Sequence, residues 1–322
     1  MPIFTTFWHL IPVTLAQSLI YAFVALGIVM TFRILNFPDL TSEGAFPLGG
    51  CVCGQLLTAG FSPLVAVLVA TAAGFMAGCF TAFINIRFRI NSLLAGILVV
   101  TMLYSIDLRI LGRSNIALFS YANVFSMLPG PANSLFVRMA AVASALLIIV
   151  GFLYGFLKTE KGAAFRATGS NPIMAEAQGI NTNVVMTLGV GLAGCLAALG
   201  GAFLVQSQGY ADVNIGVGVL VGGLAAVIIG EAIIPPRTVL RQLIAPVVGA
   251  IVYFQLVSLC LSMGFPPSDL KLATGSFVLI MLALPTIRVR PARLVRLLTR
   301  SRMPWWPARA VAKEQGRSGW RT

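Results

Sequence analysis

From Ile11 to Phe32 the chain carries no charged residue. Coiled as an α-helix, that run reaches about 30 Å, the thickness of a bilayer's hydrocarbon core. Further apolar runs cover Pro63–Ile86, Asn91–Leu111, Ser134–Leu157, Val184–Val205, Gly216–Ile234, Leu243–Leu261 and Leu272–Ile287. Lipid offers the backbone no hydrogen-bond partner, so runs of this length are helices. Only 10% of the residues are charged, against roughly 25% in a soluble domain. The chain is therefore an all-α polytopic membrane protein with about 8–10 transmembrane helices.

One segment departs from this pattern. Ala45–Ala59 is apolar but short and rich in glycine (Gly49, Gly50, Gly54), and it follows Arg33 and a polar run from Ile34 to Gly44. A short span after a polar break reads as a helix interrupted at membrane depth. Gly44–Gly60 and Gly216–Gly230, one in each half of the chain, are both short and glycine-rich. That is the pattern of an internal repeat.

Basic residues give the orientation. Arg87 and Arg89, Lys158 and Lys161, and Arg237 and Arg241 all fall in loops on one side of the predicted topology. That side is cytoplasmic by the positive-inside rule. Nine crossings then place the N-terminus outside and the C-terminus in the cytoplasm; a re-entrant or split segment would change the count. Of the 22 Lys and Arg residues, ten lie from Arg288 onward. Residues 1–287 read as a membrane domain and 288–322 as a basic cytoplasmic tail, an anchor on anionic lipid rather than a nucleic-acid site.

The cytoplasmic loop 158–183 holds the longest polar interval that still has helix signals. Asn171 is a cap, Pro172 suits a first turn, and Gly179 offers a left-handed stop. A helix over 172–178 is too short to stand alone in water. Ile173, Met174 and Ala177 share one face, the shape of a plug for a groove in a partner. A structured connector with no partner is the plainer reading.

Few polar groups interrupt the spans. Asn36, Asp39 and Glu43 sit at the predicted break, where they line a path or serve as a solvated loop with helix-terminal charges. Asp107 and Arg109 lie in one span, two positions apart, so they do not face each other on a helix. Glu231 follows a long apolar run; it pairs with Arg237 or Arg241 or lies at the interface. Intramembrane charges are functional candidates by default. His9, the single histidine, lies outside the first span, and Cys51, Cys53, Cys79, Cys195 and Cys260 fall in apolar segments. No zinc spacing, Ser–His pair or Walker sequence is present, which argues against an enzyme and against ATP hydrolysis by that route.

A family resemblance rests on particular stretches. The run Asn36–Gly44 with Gly49-Gly50 resembles a segment of ABC importer permeases of the branched-chain amino acid and ribose type. Leu94–Leu98, Leu103–Asn115, Ala177–Asn181, and Gly209–Asp212 through Ile229–Glu231 are similar to one subgroup, the permeases of uncharacterised and tryptophan-type amino acid importers. Pro38, Pro47 and the long basic tail with Trp305-Trp306 depart from the pattern. The resemblance implies a type II importer-like permease of the bacterial inner membrane, working as a homodimer. It implies a cytosolic ABC ATPase dimer that binds the ATP, an extracytoplasmic substrate-binding protein, and no cofactor on this chain. The loop with Asn171, Pro172, Ile173, Met174, Ala177 and Gly179 would be the coupling helix, and the cargo an aromatic or branched amino acid moved by alternating access. The competing reading is an ion-coupled secondary transporter with Asp107 or Glu231 as its ion site.

Overall fold

The computed structural model describes residues 3–127 and 135–264, with isolated positions up to 279. Met1–Val278 forms one compact unit and Leu279–Thr322 a second. The predicted last span, the loop before it and the basic tail lie outside the described residues, isolated positions apart.

The described chain is almost wholly helical. α1 (Ile3–Ile28) continues through a π-helical turn, Val29–Ile34, and a non-helical run follows before α2 (Thr41–Thr58). α3 (Pro63–Phe88) and α4 (Ser92–Leu111) complete the first half, and α5 (Leu135–Lys158) opens the second. Two short helices, α6 (Glu160–Ser170) and α7 (Pro172–Ala177), precede α8 (Thr182–Gln208), α9 (Val219–Ile233) and α10 (Val239–Ser262). Seven of the described segments are long and apolar enough to cross a membrane.

α8 is the centre of the bundle. Its most apolar window is 83% buried, against 28% for α4 and for α5. It packs on α1, α2 and α3. Small residues make this possible, because they let helix backbones approach. At the α3–α8 crossing, Gly74 and Gly194 face each other, and a Cβ on either would collide with the other's carbonyl oxygen.

Four features differ from the sequence reading. α2 begins at Thr41, so the polar residues Thr41–Gly44 are its first turn rather than part of the break. α8 runs to Gln208, past the end of the predicted apolar run at Val205. Gln206 is buried there; its Oε1 accepts the Val124 amide at 2.7 Å and its Nε2 donates to Cys53 Sγ at 3.2 Å. Two three-residue strands, β1 (Asn115–Ala117) and β2 (Tyr210–Asp212), pair antiparallel with Ile116 opposite Ala211. Finally, α6 was not foreseen.

Depth can be read along α8. Leu35 packs at Gly189, Phe46 at Gly201, and the helix stops at Gly209. Roughly 18 Å of helix separates the first two points and about 12 Å the last two. The run Leu35–Leu40 therefore climbs back into the bundle, and the first turn of α2 lies near its middle. Residues 211–218 descend from the opposite end, since Ala211 packs at Gly54, Ile215 at Gly50 and Gly216 at Glu43. α2 and α9 thus both start at mid-bundle, the arrangement of discontinuous helices in transporters.

Candidate functional site

The loop at the basic end of the bundle is built from capped helices. Thr159 Oγ1 accepts the Gly162 amide at 3.3 Å at the start of α6. Asn171 Oδ1 accepts the Met174 amide at 3.1 Å, Gly179 has φ of 81°, and Asn181 Oδ1 caps α8 through the Val184 amide at 3.2 Å. The cap, proline and stop predicted for α7 all take these roles, and the helix closes at Ala177. Thr182 Oγ1 donates to Glu176 Oε1 at 2.5 Å, tying α7 to α8.

The two short helices sit differently. On α7 only Ala175 is buried; Ile173 is 79% exposed and Met174 62% exposed, and Ala177 is also exposed. The predicted apolar face is thus free on the described chain, and Ala175, absent from that face, is the anchor. α6 is embedded instead. Phe165 is buried and meets Phe156 edge-on at 5.2 Å. Gly169 lies so close to the end of α1 that a Cβ would overlap the Ile34 carbonyl oxygen.

The helix break holds the second group of candidates. Asn36 is exposed with φ of 51°, the left-handed region that asparagine tolerates better than most residues. The Phe37 amide donates to Thr31 O at 2.9 Å, closing the turn. Asp39 is fully buried, not solvated; its Oδ1 accepts the Thr41 amide at 2.9 Å and the Thr41 hydroxyl. Thr41 lies 2.7 Å from Thr81 Oγ1, which links the break to α3. Glu43 Oε1 accepts the Gly218 amide at 2.8 Å, so the first turn of α2 is fastened to the start of α9.

Asp107 is fully buried on α4, and neither carboxyl oxygen has a partner among the described residues. Arg109 is exposed, and the two do not pair. Glu231 pairs with Arg33, not with Arg237 or Arg241. That ion pair joins α9 to the π-turn at the basic end. Among the described residues no His, Cys, Asp and Glu cluster could hold a metal, and all five cysteines are free.

Asp39, Glu43 and Asp107 thus gather around mid-bundle and its outer half, whereas Glu231 and the α6–α7 loop occupy the basic end. Thr41, Thr81 and Gly218, which fix the break, were missed; Gly218 lay in a glycine-rich stretch that could have suggested a helix start.

Residues 11–284 match the family described as branched-chain amino acid transport system, permease component. The chain belongs to this permease family. The permease is 37% identical over 275 residues to a tyrosine transport system permease protein of Clostridioides difficile (strain R20291), spanning 85% of this chain and 91% of that one. It is 34% identical over 273 residues to an uncharacterised protein of Rickettsia prowazekii, across 84% of this chain and 95% of the other. A more distant relative, the autoinducer 2 import system permease protein LsrC of Escherichia coli, is 27% identical over 222 residues and 61% covered. No solved structure gives a significant match. The permease is a multi-pass membrane transport subunit rather than an enzyme.

Proposed function

We propose that this permease is the membrane subunit of an ATP-driven importer for an aromatic amino acid and works as a homodimer. The observation that carries the reading is α7, a helix of six residues presenting exposed Ile173 and Met174 from a fully capped frame. Exposed apolar residues on a helix too short for independent stability mark a docking element. A cytosolic ATPase receives α7 at the basic end; the gathering there of Arg33, Arg87, Arg89, Lys158, Lys161, Arg237 and Arg241 supports a cytoplasmic side by the positive-inside rule. ATP binds to that partner. Closure of the ATPases moves α7 and α6, and Gly169 passes the movement to the end of α1 and the helix break. A substrate-binding protein delivers cargo at the opposite end. The tyrosine transport system relative supports an aromatic cargo.

Affinity capture from mild detergent tests this reading. The native chain should bring down a P-loop ATPase, and the Ile173→Asp/Met174→Asp variant should not. Tyrosine uptake by proteoliposomes holding the whole assembly should need ATP inside the cytoplasmic face. Uptake in ATP-free vesicles driven by an ion gradient alone would overturn the importer reading and favour the ion-coupled one.

A further inference from the structure

α3 and α8 lie backbone to backbone at Gly74 and Gly194, and again at Gly78, where a Cβ would collide with the Val190 carbonyl oxygen. Beyond that contact, toward the basic end, a cavity of about 570 Å³ opens between them. Its lining is graded with depth. Arg87, Arg89 and Asn181, the cap of α8, stand at the rim. Phe83, Val184 and Leu188 lie farther in, and all three are exposed. Leu188 is six residues into α8, roughly 9 Å along its axis. α3 and α8 are both long and apolar enough to cross a membrane, so the cavity runs from their ends into the flank that faces hydrocarbon.

The charge at the rim has one sign. No carboxylate lines the cavity. Arg87 and Arg89 are exposed and take part in no ion pair among the described residues. Other cations at this end are engaged within the chain: Arg33 with Glu231, Arg166 with Leu157 O, and Lys158 over the Tyr154 ring. Arg89 ends α3 with φ of 55°, a conformation that arginine rarely adopts. Asn85 Nδ2 braces that turn by donating to Ile90 O at 2.6 Å.

An occupant of this cavity needs an anionic head and an apolar body, and it must lie across the edge of the membrane. A water-soluble partner would meet the rim but leave Phe83 and Leu188 uncovered. Paired guanidinium groups suit a phosphate, which they hold by charged hydrogen bonds. Basic pockets between membrane helices take lipid head groups in this way. We propose that the groove between the ends of α3 and α8 is a site for an anionic phospholipid. Arg87 and Arg89 hold its phosphate, and an acyl chain lies over Phe83, Val184 and Leu188. The site stands apart from the importer reading, because it needs only that these helices span a membrane.

Native mass spectrometry of the purified full-length permease tests the site, with dioleoylphosphatidylglycerol or dioleoylphosphatidylcholine titrated in detergent. The first phosphatidylglycerol should bind about tenfold more tightly than phosphatidylcholine, or better. Arg87→Gln/Arg89→Gln should weaken it about tenfold or more. Both side chains are exposed, so that variant should unfold at the native temperature in detergent without added lipid. Val184→Trp keeps both arginines and fills the groove; it should weaken binding about fivefold. Arg237→Gln/Arg241→Gln removes the same charge outside the cavity and should matter less than about threefold. Equal binding of the two lipids overturns the site, as does native affinity in Arg87→Gln/Arg89→Gln. An equal loss in Arg237→Gln/Arg241→Gln would leave only the general field of the basic end, and overturns it too. Competition by glycerol 3-phosphate as strong as that by the intact lipid would remove the apolar body from recognition. Loss of ATPase capture by Arg87→Gln/Arg89→Gln without added lipid would give the groove to a protein partner instead.

Discussion

α6 and α7 are adjacent, both short and both at the basic end, yet the bundle treats them in opposite ways. α6 drives Phe165 into the core and lays Gly169 on the backbone of α1. α7 touches down through Ala175 and turns Ile173 and Met174 outward. One loop therefore has a half that is part of the fold and a half that the fold leaves available. On the function proposed above, docking falls to α7 and transmission to α6, with Asn171 as the joint between them. Its amide closes α6 on Ala167 O at 2.9 Å while its side chain opens α7.

Substitutions can break or sharpen that contrast. Phe165→Ala should cost the most, roughly 3–5 kcal/mol of stability, read as an earlier thermal unfolding transition of the purified permease. A mild result there would mean that α6 is no more embedded than α7. Gly169→Ala comes next, at roughly 1–3 kcal/mol, because the added carbon meets backbone that must move. It should also lower ATP-dependent uptake while ATPase capture persists; simultaneous loss of both would merge docking and transmission again. Asn171→Ala should remove about 1 kcal/mol through loss of the cap, visible in the same unfolding assay. Glu231→Gln should cost less, about 0–1 kcal/mol, since Arg33 is half exposed and its charge is screened. Ile173→Asp should leave stability within about 0.5 kcal/mol of the native chain and yet abolish ATPase capture. A large unfolding shift for Ile173→Asp would place α7 in the fold after all.

The spans were legible because lipid permits so few backbone solutions, and the α7 signals were legible because caps are local. Asn171, Pro172 and Gly179 all act within one turn of their own position. The rest depended on contacts far apart in the chain. Thr41–Gly44 reads as a loop because it is polar, yet a helix that starts inside a bundle needs polar side chains near its first amides. Asp39 supplies one through the Thr41 amide. α6 has no apolar stripe to declare it; Gly162, Phe165 and Gly169 gain their meaning from α5 and α1. The pairing of Glu231 with Arg33 joins opposite halves of the chain, whereas Arg237 and Arg241 are nearer in sequence. Asp107 was visible as an intramembrane charge, but its isolation from Arg109 and its neighbourhood with Glu43 needed the packed bundle.

The contact between Gly74 and Gly194 has a mechanical meaning. Helices that meet through side chains can slide by repacking rotamers, as teeth can slip between grooves. Where backbone rests on backbone there are no teeth to slip. α3 and α8 are therefore held as one closely packed pair that no change of rotamer can loosen.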